Sequence, residues 1–375
     1  MLTSIFYFGG KMKEFTDTVG EINFCIPECT FRAEEILYFD IETTGFSPAS
    51  TMLYLIGCAY VKDGECRMTQ WFADTADSES DVIRAFLDFS SGFKVLVHYN
   101  GSGFDIPYII KKCRLLGIPC DFSGIQSLDI YKKIQPFKML FKLENIKQKT
   151  VERFMGVERE DKYSGGELIK VYNEYLRSPS EELLSLLLTH NREDVLGIPA
   201  IAPILGYECI LKMRYVPISI ELRVSPSGKD SVRKEVVITL QLGEYLPVRV
   251  SYGNEYFYIT LFEGKGRICV TAHTDELKYF YPNYRDYYYL PEEDRSIHKS
   301  VAFYVDKNYR TQAKAANCYS RKTGVFLPQY DEIFKPYFKI DYNDKITFFE
   351  YTDEFRGNSD YIFLYTEHII HTLLS

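Results

Sequence analysis

The strongest constraint on this chain is an apolar run that ends in two carboxylates. Ile36-Leu37-Tyr38-Phe39-Asp40-Ile41-Glu42 reads as a core strand, and the strand period of two sends Asp40 and Glu42 to the same face. Two acids there repel each other and lose hydration unless a cation lies between them. Taken alone, the tripeptide also fits a strand end that simply reaches water. Asp-x-Glu recurs at Asp63/Glu65 and Asp77/Glu79, in polar, turn-like surroundings where solvated surface charge accounts for it.

Around this strand, short apolar runs alternate with helical periodicity. TMLYLIGCAYV and FKVLVH continue the strand pattern, while ESDVIRAFLDFS and PYIIKKCRLLG space their apolar residues as helices do. Gly117 and Pro119 stop the second of these helices. Ser178-Pro179-Ser180-Glu181 has the capping-box pattern with Pro at the first helical position, ahead of EELLSLLL. Asn191-Arg192-Glu193-Asp194 reads as a fresh helix start, running toward Leu205 and kinked by Pro199 and Pro203. This mixture indicates an α/β layered architecture for residues 36–206, after a lead-in of residues 1–35. A Pro/Gly/Ser-rich turn at 225–231 lies near the start of a different region, 207–375. There VVITLQL, PVRVSYG, YFYITLF and RICVTA read as successive strands joined by Gly-containing turns. KITFFEY reads as one more strand and DYIFLYTEHIIHTLL as a closing helix. The expectation is an α/β front domain followed by a β-rich α+β domain, as 375 residues exceed one domain of about 150.

Two further acidic elements accompany the first. In Tyr99-Asn100-Gly101-Ser102-Gly103-Phe104-Asp105, a strand runs into a glycine-containing turn and Asp105 opens a helix. An N-cap role would explain Asp105 alone. Asn100 and the glycines nevertheless leave room for a close backbone approach, and Phe104 would anchor the loop. In His190-Asn191-Arg192-Glu193-Asp194, an imidazole and a carboxylate lie four residues apart, neighbours on a helix. That places a ligand carboxylate beside a group able to take a proton near neutral pH. Capping by Asp194 and a surface His190 is the plainer reading of this segment by itself. The three elements together are what a two-metal phosphodiester site requires, with hard oxygen ligands suited to Mg²⁺ or Mn²⁺.

ILYFDIETTGFS, YNGSGFDIPYI and HNREDV resemble the three motifs of the DEDD 3′–5′ exonucleases of the ribonuclease H-like superfamily, with the bacterial YprB-like branch nearest. The likeness spans about residues 36–206 and takes in SLDIYKK and MGVEREDKYSGGELIKVYNEYLRS. It implies a ribonuclease H-like mixed sheet flanked by helices, and a metal-dependent 3′–5′ exonuclease acting on DNA or RNA ends. By this resemblance Asp40 would bridge two divalent cations, Glu42 and Asp194 would complete the site of the attacking water, and Asp105 would act on the second metal. His190 would orient or deprotonate the nucleophile, Thr43 and Thr44 would lie against the terminal nucleotide, and Asn100 and Asn191 would also meet substrate. Asp129 is a candidate extra acid, with a helix cap as its other role. The usual histidine subtype has H-x4-D, whereas this chain has a histidine at the tyrosine subtype's x3 spacing. A non-catalytic nucleic-acid-binding domain and an RNase H-type endonuclease are the competing functions.

Charge and composition set further bounds. Up to Gly206 there are 22 basic and 29 acidic residues, and beyond it 22 against 23, so the acidity lies where a metal site would collect it. The cysteines, nine and scattered, favour free thiols in a reducing compartment, and Cys25-x3-Cys29 lacks a second pair for zinc. With no stretch near the ~20 apolar residues of a membrane span and no leader pattern, a cytoplasmic bacterial protein is expected, without a membrane or nucleotide-cofactor partner. In the back half, Lys299, Lys307, Arg310, Lys314, Arg321 and Lys322 beside Tyr304, Tyr309 and Tyr319 suggest either a basic aromatic surface or an ordinary solvated face. The Tyr-rich patch 279–290 reads as core and rim packing. His368 and His371 read as surface residues one helical turn apart.

Overall fold

A computed structural model describes residues 4–8, 12–20, 26–160, 163, 165–226 and 232–374. The chain divides into two compact units, residues 1–208 with 246–248, and residues 209–245 with 249–375.

The first unit is built on one seven-stranded mixed sheet. Its strands are β1 (Ser4–Phe8), β2 (Met12–Thr18), β3 (Ile36–Thr43), β4 (Leu53–Lys62), β5 (Glu65–Ala73), β6 (Val95–His98) and β7 (Gln126–Asp129), in the order β1-β2-β5-β4-β3-β6-β7. β3, β4 and β5 form an antiparallel meander, whereas β6 lies parallel to β3 and β7 parallel to β6. The residues ahead of Ile36 contribute two strands to this sheet, with β2 running antiparallel along β5. That pairing is tertiary, and local sequence pattern does not reveal it.

β3 occupies an interior place because Ile36 to Phe39 are all apolar and all buried. The parallel crossovers carry α1 (Glu79–Ser90) and α2 (Asp105–Leu116), the latter closed by Gly117 at φ 65° in the left-handed region. Short α3 (Ile130–Ile134) and α4 (Lys138–Phe141) precede α5 (Gln148–Met155), α6 (Gly165–Arg177) and α7 (Glu181–Ile201). Tyr172 of α6 stacks on Tyr54 of β4 at 4.1 Å, tying helix layer to sheet.

α7 departs from the sequence reading in two ways. It is one continuous helix, so His190 to Asp194 lie mid-helix and Asp194 is no helix-start cap. The cap is Ser180, which accepts from Leu183 N, two residues later than the capping-box reading placed it. Pro199 is accommodated near the C-terminal end, and a 3-10 turn (Ala202–Tyr207) follows with Pro203 in its first turn. The stretch Glu181–Leu211 also has the length and hydropathy of a membrane span, which the sequence reading did not recognise. Its most apolar window is 67% buried inside the protein, as in a core helix.

In the second unit, β8 (Tyr215–Pro226), β9 (Val232–Gly253) and β10 (Phe257–Thr271) form a three-stranded sheet with β9 in the middle. β9 and β10 each join two runs that the sequence suggested were separate strands. Gly264-Lys265-Gly266 lies inside β10, not at a turn. Most of the 225–231 turn lies outside the described residues, as does Cys25. Smaller sheets follow, one pairing β11 (Glu276–Phe280) with Tyr319–Thr323, and helix Ser359–Leu374 closes the unit. The basic surface considered for 299–322 is largely paired off. Lys299 meets Asp286, Arg321 meets Glu276 and Asp294, Lys322 meets Glu350, and Arg310 lies over Tyr288 while donating to Ala302 O. His368 is buried, not at the surface, and its Nε2 accepts from Tyr330 N at 3.0 Å.

Candidate active site

The acidic residues of β3 owe their setting to the cross-strand register. Asp40 lies opposite Gly57 and Glu42 opposite Leu55 on β4. Cross-strand partners share a face, so Gly57 leaves an opening beside Asp40 into which α7 descends. A Cβ built at Gly57 would lie 2.0 Å from Asn191 Oδ1 and 2.8 Å from Val195 Cγ2, so only glycine permits this approach. Gly197 plays the same part on the other side of α7, where a Cβ would lie 2.0 Å from Glu152 Oε1 of α5. A Gly57→Ala protein is expected to lose about 1–3 kcal/mol of stability, read as a lowered midpoint in thermal denaturation, with Asn191 displaced from Asp40.

α7 delivers three residues to the face thus opened. His190 Nε2 stands 3.1 Å from Asp194 Oδ2 and 3.6 Å from Glu42 Oε1. The ligand atoms of Glu42, His190 and Asp194 all fall within 4.8 Å of one another. Asn191 Nδ2 donates to Asp40 Oδ2 at 3.4 Å, while its Oδ1 accepts from Gln70 Nε2 at 2.9 Å. Fully buried with its amide so engaged, Asn191 holds Asp40 in place and offers no surface to a substrate, which corrects the substrate-binding role expected for it.

Asp105 arrives from the adjacent crossover. β6 ends at His98, and where the β3–β6 ladder has run out Asp105 Oδ1 accepts from Ile41 N at 3.3 Å. Asp129 Oδ1 accepts from Asn100 N at 2.9 Å, and its Oδ2 accepts from the Ser102 hydroxyl and backbone N–H. It also caps α3, so it anchors the loop that aims Asp105. Asn100, at φ 63°, is exposed on that loop. The Thr43 hydroxyl donates to Gly45 O at 2.9 Å and the Thr44 hydroxyl accepts from Met52 N at 2.9 Å, so both shape the turn after β3. That turn presents Phe46, 91% exposed, with its ring edge against Phe104 at 6.0 Å.

The electrostatics report the convergence directly. Burial, then the charges of Asp105, Asp194 and Glu42, push the Asp40 carboxyl well above the ordinary carboxylate range. Burial likewise pushes Asp105 up to about 7, against backbone N–H donors and with the charges of Asp129 and Asp194 adding to the rise. For Asp194, burial works upward, but the His190 hydrogen bond and Arg159 outweigh it and hold the carboxyl below its usual value. Arg159 is a residue that sequence reasoning missed. Its buried guanidinium bonds both Glu152 of α5 and Asp194. Gln148 completes the clasp, with Nε2 donating to Asp194 O at 2.7 Å and to Glu152 Oε1 at 2.9 Å.

A carboxyl raised in the fold binds its proton more tightly there than in the unfolded chain. Stability contributed by Asp105 therefore falls as pH rises from the ordinary carboxylate range of about 4 to about 7. In metal-free protein, the stability of wild type relative to Asp105→Asn is expected to drop between pH 4.5 and 7.5. Saturating Mn²⁺ is expected to flatten that difference, and thermal melts across pH check both outcomes.

The donor set fits divalent cations. Four carboxylates meet in one partly buried cluster, where hard oxygen ligands suit divalent cations that would offset the charges crowding Asp40.

Residues 37–205 match the family model RNase_H_2, described as RNase_H superfamily. With the mixed sheet and its flanking helices, this segment is an RNase H-like domain, followed by a β-rich unit. The chain is 29% identical over 92 residues to a DNA polymerase of Thermococcus hydrothermalis and 30% identical over 95 residues to one of Thermococcus aggregans. Each match covers 22% of this chain and only 5% of the polymerase. A solved family B DNA polymerase from Pyrobaculum calidifontis is 16% identical, with a TM-score of 0.37 over 65% of this chain and 33% of that one, too loose a likeness to place a fold.

Proposed function

We propose that this chain is a divalent-metal-dependent 3′–5′ exonuclease of the DEDD type, hydrolysing phosphodiester bonds in DNA or RNA. One observation carries the reading: Asp40, Glu42, Asp105 and Asp194, from three separate parts of the chain, converge beside His190 in one partly buried cluster. The RNase H-like domain and the similarity to DNA polymerases support it.

Asp40, Glu42, Asp105 and Asp194 would hold two cations, Mg²⁺ or Mn²⁺. Such ions, when bound, lower the pKa of water and offset charge on the scissile phosphate. The side chains do the rest. His190 stands where it can take the proton of the attacking water, and its neighbours Glu42 and Asp194 favour the imidazolium that results. Asp194 is held by Arg159, Asp40 by Asn191 and Asp105 by Ile41 N, so the carboxylates need little reordering. Phe46 offers a face for stacking on the terminal base, with Thr43, Thr44 and Asn100 along the same rim. The free thiols among the described cysteines accord with the reducing bacterial cytoplasm we propose as its location.

End-labelled single-stranded DNA and RNA, with free or blocked 3′ ends, test the reading in Mn²⁺ or Mg²⁺. Stepwise shortening from free 3′ ends alone is expected, and Glu42→Gln is expected to lose it. Cuts inside blocked strands would instead identify an endonuclease. Binding without any metal-dependent cleavage would identify a non-catalytic domain.

A further inference from the structure

The second unit contains a cleft of about 610 Å³, within the range of ligand-binding sites. Its walls are Tyr279, Phe280, Tyr281, Tyr284, Tyr337 and Tyr342, with Lys335 and Lys339 alongside. The sequence suggested rim packing for part of this tyrosine patch, and some of it does pack. Tyr281 stacks on Tyr287 at 4.6 Å, Tyr279 meets Tyr281 edge-on at 5.4 Å, and Phe280 meets Tyr342 at 5.2 Å. These contacts fix the rings relative to one another, yet Tyr342 stays 41% exposed and Tyr279, Tyr281 and Tyr284 are only half-buried. Apolar packing alone does not explain rings left open in a concave wall.

Three features describe what such a cleft accepts. Aromatic faces held in place bind flat π systems at low entropic cost. Lys339 Nζ is held between the carbonyls of Asp344 at 2.8 Å and Tyr342 at 3.4 Å, and Lys335 is exposed at the rim, so the cations sit at the edge of an aromatic floor. Of the nearby carboxylates, Asp341 is engaged by Lys278, Glu332 by the Tyr337 hydroxyl and Asp344 by Asp341 N. Aromatic floor and cationic rim together match unpaired nucleobases followed by their backbone phosphates.

We propose that this cleft binds single-stranded nucleic acid, stacking bases on the tyrosines and pairing phosphate with Lys335 and Lys339. The choice of nucleic acid as occupant rests on the nuclease reading of the first unit. A proline-rich peptide, which also uses aromatic grooves, lacks the phosphates that the lysines answer.

The test is fluorescence anisotropy of a labelled oligodeoxythymidine 15-mer with full-length Asp40→Asn protein in EDTA, where cleavage is blocked. Tyr284→Ala and Tyr342→Ala are each expected to weaken binding about tenfold. Lys335→Glu, a surface change that leaves the fold intact, is expected to weaken it and lessen its salt dependence. A duplex of the same length is expected to be insensitive to the tyrosine changes. Unchanged single-strand affinity in all three variants overturns the proposal, as does binding of a proline-rich decapeptide that is lost in the tyrosine variants while the oligonucleotide is unaffected. Cleavage is measured separately on protein with wild-type Asp40, so a chain that binds through these tyrosines but never cuts sinks the nuclease reading and leaves the cleft standing.

Discussion

Asp40→Asn is expected to abolish metal-dependent cleavage, by about a thousandfold or more, while raising the melting temperature of the metal-free protein. The two effects come from one cause. Asp40 is half-buried with Asp105, Asp194 and Glu42 around it, and their mutual repulsion weighs on the fold when no cation is present. An amide keeps the shape and can still meet Asn191, but it brings no charge. Relief of that repulsion stabilises the apo fold, whereas the loss of an anionic ligand removes the site's hold on a cation. A variant that loses activity because it is misfolded would melt lower, so opposite movement of the two readouts distinguishes a functional acid from a structural one. Retained cleavage in Asp40→Asn would place the chemistry elsewhere.

Arg159→Ala is expected to produce the largest loss of stability of any single change near the site, about 3–5 kcal/mol. Glu152, 1% exposed, would be left with a buried charge whose guanidinium partner is gone. Asp194 would lose its tether at the same time, and cleavage should fall with stability. A double variant separates these effects. With Glu152→Leu and Arg159→Met, an apolar pair replaces the buried ion pair, and stability is expected to return to within about 1–2 kcal/mol of wild type. Asp194 remains untethered in that protein, so its Mn²⁺ affinity and turnover should stay low. Full recovery of turnover along with stability would show that Arg159 only holds α5 in place. Chemical denaturation and Mn²⁺ titrations on the three proteins decide between these outcomes.

Legibility in the sequence depended on the range of the interaction. Asp40 and Glu42 were legible because strand alternation is local, and His190 with Asp194 because four residues make one helical turn. Asp105 was legible as a helix start after a glycine-containing turn. The α/β character of 36–206 and the β-rich character of 207–375 came from the same short periods. Long-range partners left no such trace. Arg159 sits in an irregular segment between α5 and α6 and meets Asp194 across 35 positions of chain. Gln70 reaches Asn191 across 121. Asn191, expected to meet substrate, is buried instead because of the gap at Gly57, on a different strand. α7 looked broken because a run of four polar residues and two prolines mimics a helix boundary, whereas packing against β3, β4 and α5 carries the helix through. β9 and β10 looked like pairs of strands because glycine is usually a turn residue, and pairing in a sheet with β9 between β8 and β10 overrides that preference.

Isothermal titration of Mn²⁺ into wild-type and Asp40→Asn protein, with no nucleic acid present, tests the convergence of these carboxylates most directly. Saturable binding by the wild type, accompanied by proton release near pH 7 as Asp105 gives up its proton, and greatly weakened in Asp40→Asn, is the predicted result. Equal Mn²⁺ binding by the two proteins, or none by either, would contradict it.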